Sequence, residues 1–169
     1  MIFSICAGLY LSSADQSVLP RLKKVTVISM QMALIFQMII VPVYWTMIHE
    51  QDVVPKFGDK PRLMMFMYWV HIWPGIAALF NVIISKSLFI NSYYKFLLGV
   101  GVFYMFVNFV GTKVSGKPLY SFLPWTDWTS LVISMSLIGL ALLSYYLVCN
   151  LVNYSKLGGK SLSKPKTKQ

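Results

Sequence analysis

Charge is what this sequence has least of. Lys, Arg, Asp and Glu make up only 12% of 169 residues, and they gather in short clusters separated by long uncharged runs. A soluble domain of this length carries charged side chains over its whole surface, so their scarcity excludes a water-soluble fold. Cysteine is nearly as rare. Cys6 and Cys149 lie far apart with no CxxC or HExxH spacing, a pattern that predicts neither a disulfide framework nor a metal site. The sequence has no Gly-rich phosphate loop and no internal repeat. Its opening segment lacks the basic leading region of a signal peptide.

What remains is apolar: 57% of the residues are hydrophobic and 15% aromatic. Val25 to Ile48 is 24 residues without a formal charge, and Leu63 to Ser85 is 23 whose one imidazole is His71. Phe96 to Thr112 adds 17 and Trp128 to Asn153 a further 26. About 20 helical residues cross a hydrocarbon layer about 30 Å thick, so these four runs read as membrane spans. The expectation is an all-α, polytopic transmembrane helix bundle. It has four full spans (about 25–48, 63–85, 96–112 and 128–153) in one domain over 1–153, a partial N-terminal span over 1–13, and a basic C-terminal tail over 154–169.

The spans contain no Asp, Glu, Lys or Arg. Proton relays, voltage sensors and many ion pathways depend on such groups inside the membrane, which argues against a pump or a proton-coupled carrier. Outside the spans, Arg21, Lys23, Lys24, Lys86, Lys95, Lys156, Lys160, Lys164, Lys166 and Lys168 collect on one side, against Lys56, Lys60, Arg62, Lys113 and Lys117 on the other. The positive-inside rule therefore puts the C-terminal tail on the cytoplasmic or matrix side. The same lysines make anionic lipid headgroups the expected partners, and lysines that flank spans do not call for a nucleic acid. No cofactor is expected beyond a bound phospholipid or fatty acyl lipid.

Within the spans, Ser130, Ser134, Ala141 and Ser144 fall within roughly 80° of one another at 100° per residue, a narrow stripe suited to close helix packing. Trp125, Trp128, Tyr120 and Phe122 sit where a span begins and read as an interfacial aromatic belt. His71 lies about 12 Å into its span, and Asn108 approaches the same membrane face from the next one. Pro74 removes a backbone donor and should free the carbonyl of Val70, so His71, Pro74, Gly75 and Asn108 are the expected pocket residues. A neutral imidazole at that depth suits either an interhelical hydrogen bond or a general base. His49, beside Glu50 at the membrane edge, reads as an interfacial residue.

The segment VPVYWTMIHEQDVVPKF, then HIWPG, then NFVGTKVSGKPLYSFLPW resembles in its order the androgen-induced and androgen-dependent TFPI-regulating protein family of polytopic membrane proteins. The resemblance covers about residues 3 to 153. It implies an intramembrane hydrolase of fatty acid esters of hydroxy fatty acids that works through a threonine nucleophile and a histidine. His71 matches the histidine, although its proline follows by three residues. The family's threonine precedes the segment matched by IFSICAGLYLSS and falls before Met1, and Thr26, Thr46, Thr112, Thr126 and Thr129 do not match its motif. A base without a hydroxyl attacker loses covalent chemistry. The favoured expectation is thus a non-catalytic accessory subunit of a larger membrane complex, with other membrane subunits as partners and the mitochondrial inner membrane preferred to the endoplasmic reticulum. A lipid ester hydrolase is the alternative.

Overall fold

The computed structural model describes residues 19–85 and 87–158, and every regular element among them is helical. Helix α1 (Leu19–Val43) runs into a π-helical segment (Tyr44–Val53) and on into the short α2 (Val54–Phe57). Then come α3 (Pro61–Ile84), a 3-10 turn at Asn91–Tyr93, α4 (Tyr94–Ser115) and α5 (Trp128–Lys156). Four continuous helices, Pro20–Phe57, Pro61–Ile84, Asn91–Ser115 and Trp128–Lys156, are long and apolar enough to cross a membrane. The partial span expected over 1–13 and most of the tail beyond Gly158 lie outside the described residues.

Each helix overruns its uncharged stretch because charged residues are compatible with helix once they reach the headgroups. The first one takes in Arg21, Lys23 and Lys24 at one end and Glu50, Asp52 and Lys56 at the other. The helix ends are set by local chemistry. Asp127 caps α5 by accepting from the Thr129 amide at 2.9 Å, and Pro61 opens α3 where a missing N–H does no harm. Gly116 ends α4 in the left-handed region at φ 67°.

In the bundle α1 packs against both α3 and α5, and α4 packs against α5. The core joins Ile35 and Leu34 of α1, Ala78 and Val82 of α3, Leu97 of α4, and Ala141, Tyr145 and Cys149 of α5. Ser130, Ser134 and Ala141 are buried on α5, whereas Ser144 is only half-buried and Tyr145 takes its place in the buried line. The physical reason is drift: the buried line continues in steps of four through Tyr145, Cys149 and Asn153, and each such step rotates about 40° on a 3.6-residue helix. Ser144 is left on the trailing edge.

That line ends in a polar staple. The Asn153 side chain accepts from the Phe89 amide at 2.8 Å and donates to the Phe89 carbonyl at 2.9 Å, pairing both main-chain groups of one loop residue. Lys156 Nζ donates to the carbonyls of Val82, Ser85 and Ser87 at 2.7–2.9 Å, which satisfies oxygens left over at the end of α3. The Tyr145 hydroxyl lies 2.7 Å from both Gln31 Oε1 and the Ile90 carbonyl, while Gln31 Nε2 donates to Leu88. A loop that carries little side-chain core is thereby fixed to two helices through its backbone.

Candidate functional site

The site begins with a change of helical winding. Pro42 has no amide hydrogen, so the α-helical ladder is broken there, and the chain continues with i→i+5 bonding over Tyr44–Val53. Thr46 covers the Pro42 carbonyl with its hydroxyl at 2.8 Å. On an α-helix Tyr44 and His49 would point about 140° apart. Wider winding brings residues five apart onto one face, and Tyr44, His49 and Val53 are all buried there. His49 therefore faces inward among Tyr44, Trp45 and Tyr68, with Nδ1 3.2 Å from Glu50.

Tyr44, 0% exposed, stacks on His71 of α3 with ring centroids 3.6 Å apart and planes 11° from parallel. His71 Nδ1 lies 2.7 Å from the Met67 carbonyl. A carbonyl only accepts, so the proton must sit on Nδ1, and in a neutral ring the Nε2 lone pair is left free.

Both rings line a cavity of about 640 Å³ bounded by α1, α3, α4, α5 and the α4–α5 loop, within the roughly 300–1,000 Å³ of small-molecule pockets. Its walls are mainly aliphatic and aromatic, including Phe36, Ile39, Val100, Leu137 and Ile138. Its polar residues, Tyr44, His71, Tyr104, Asn108, Tyr120 and Ser134, gather toward the loop. Helices α3 and α4 have no substantial packing against one another, although both contribute wall residues.

The loop after α4 covers the polar end. Trp125 is held at φ 56°, a left-handed conformation that bulky residues rarely adopt. Four groups hold it: its amide donates to Ser130 Oγ (2.8 Å), its indole Nε1 to Asn108 Oδ1 (2.7 Å), its carbonyl accepts from Lys113 Nζ (2.8 Å), and its ring meets Phe109 edge-on. Ser121 ties the loop to the π segment, its hydroxyl within 3.2 Å of Gln51 Oε1 and Asp52 Oδ2. The Tyr104 and Tyr120 hydroxyls pair at 2.9 Å. An indole N–H can only donate, so Asn108 must present Nδ2 elsewhere. Nδ2 and the Tyr44 hydroxyl are buried with no hydrogen-bond partner among the described residues.

Of the expected pocket residues, His71 and Asn108 share this cavity, and Ser134 and Ala141 of the packing stripe also line it. Pro74 and Gly75 do not, which corrects the expectation. A helix puts residues three and four positions apart on neighbouring but distinct lines, and here Pro74 is exposed on the outer face while Gly75 points at α1. A Cβ on Gly75 would sit 3.6 Å from Val41 and 3.8 Å from Gln37, ordinary contact. Tyr120, Phe122 and Trp125 do not form an outward belt either: the first two line the cavity, Trp125 is buried, and Trp128 alone stands out at 79% exposure. Among the described residues no trio of His, Cys, Asp or Glu could hold a metal ion. Tyr44 belongs to the segment that carries the family resemblance, but sequence reasoning did not place it in the pocket, because the winding that turns it inward has no signal beyond the flanking Pro42 and Pro55. No protein-family model, curated protein or solved structure matches this chain.

Proposed function

We propose that the chain is a lipid-holding membrane protein that takes a single acyl chain into the 640 Å³ cavity and acts as a non-catalytic component of a larger membrane assembly. The observation that carries the reading is an apolar chamber with polar groups at one end only, two of them buried and without partners. A buried polar group without a partner costs about 1–3 kcal/mol, so these positions favour a ligand that supplies the missing bond. The weak packing of α3 against α4 supports entry from the hydrocarbon rather than from water. Leu137→Trp, at a half-buried wall position, should fill the chamber without touching its polar end. After mild extraction, lipid mass spectrometry is expected to find a stoichiometric single-chain lipid on the wild-type protein and to lose it in Leu137→Trp. A wild-type protein that carries no such lipid ends the proposal.

A second reading, ester hydrolysis, is favoured by one observation. The Met67 carbonyl fixes the proton on His71 Nδ1 and leaves Nε2 able to accept another, as a general base must. Among the described residues no hydroxyl bonds to that nitrogen, so the attacking group is not assigned. If the histidine is the base, turnover of a fatty acyl ester falls by about 100-fold or more in His71→Ala. Equal and negligible turnover in both forms removes this reading.

A further inference from the structure

Building on the lipid-holding reading, we infer that the cavity selects an uncharged single-chain lipid, one whose polar end carries hydroxyl or ester oxygens and no ionic group. Among the described residues the lining contains no Lys, Arg, Asp or Glu. A carboxylate or phosphate brought into it would have no counter-charge, and an unpaired ion in such surroundings is among the most costly things a protein can bury. Two charged side chains on the elements that border the cavity are already engaged. Lys113 donates to the Trp125 carbonyl, and Asp52 accepts from Ser121. A cationic or zwitterionic headgroup is as poorly matched as an anionic one.

The free hydrogen-bonding groups fit a neutral oxygen-bearing head instead. Tyr44 offers a hydroxyl and Asn108 an amide N–H, both on side chains at least nine-tenths buried and neither bonded to another described residue. Those two donate to ester or hydroxyl oxygens, while His71 Nε2 accepts from a hydroxyl. Shape favours one chain. Along α4 the lining runs from Asn108 to Leu97, roughly 16 Å at 1.5 Å per residue, so the chamber is long and leads from the loop toward the opposite end of α4.

The test uses the full chain in detergent micelles with four ligands that share one tail: 1-monooleoylglycerol, oleyl alcohol, oleate and oleoyl lysophosphatidate. Native mass spectrometry is expected to show the two neutral lipids bound at least tenfold more tightly than the two anions, and comparison of the glycerol ester with the alcohol tells which oxygens are read. Tyr44→Phe should weaken monooleoylglycerol by about tenfold and leave the melting temperature unchanged or raised, because the lost hydroxyl has no partner within the protein. Oleate or lysophosphatidate binding as well as the neutral pair overturns the selectivity and leaves the lipid-holding reading intact. Binding of none of the four overturns both. Undiminished affinity in a folded Tyr44→Phe protein overturns the place given to the headgroup, and the wild-type comparison stands if that variant does not fold.

Discussion

Trp125→Ala should lower stability by about 3 kcal/mol, the scale of deleting a large buried aromatic side chain. The indole fills the space beside Phe109 and occupies Asn108 Oδ1, and without it the loop loses a side-chain anchor on α4 that is both packed and hydrogen-bonded. The left-handed backbone at φ 56° separates this cost into two parts. Glycine adopts that conformation freely and alanine does not, so Trp125→Gly should be more stable than Trp125→Ala by about 1 kcal/mol, the reverse of their usual order. Unfolding titrations in mixed micelles, followed by circular dichroism, measure both. Alanine proving equal to or better than glycine would show that the loop does not hold this backbone conformation. Because Tyr120, Phe122 and Leu123 line the cavity from the same loop, either variant should also release bound lipid faster.

Asn153→Leu is expected to cost about 3 kcal/mol for a different reason. Leucine keeps the branched outline of asparagine but its two methyl groups are bulkier than the amide, so some overpacking adds to the main loss, that of the partner to the Phe89 amide and carbonyl in a buried position. Near lipid there is no ready replacement from water. Asn153→Asp retains an acceptor for the amide and loses the donor to the carbonyl, and it should fall between wild type and leucine. The same micelle titrations order the three. A leucine variant as stable as wild type would mean that the loop over 85–90 repairs its own backbone bonds.

The membrane spans were readable in the sequence because lipid tolerates so little charge that their cores are marked by its absence. Their ends were less readable: Arg21, Glu50 and Lys156 are all helical, since headgroups and water accept charged helix that hydrocarbon does not. Counting residues inward from the membrane edge was enough to put His71 and Asn108 at similar depth, and both line one cavity. Depth says nothing about direction. Pro74 and Gly75 share the depth of His71 but face elsewhere, and only the packing of α3 on α1 decides that. Tyr44 and His49 turn inward through a winding that depends on hydrogen-bond register rather than on composition. Trp125 looked like an anchor for headgroups because aromatics at span ends usually are. Its true surroundings come from Asn108 and Lys113, 17 and 12 positions earlier in the chain.

The ammonium at the end of α5 bears on how the protein meets its surroundings. With three main-chain oxygens around it, Lys156 is a rivet between helices and contributes little attraction for phosphate outside. Tallies of positive residues that decide which way a helix threads treat every lysine alike, yet this one is turned inward. Neutralising this side chain would therefore loosen the junction of α3, the 85–90 loop and α5 while removing little charge from the membrane surface.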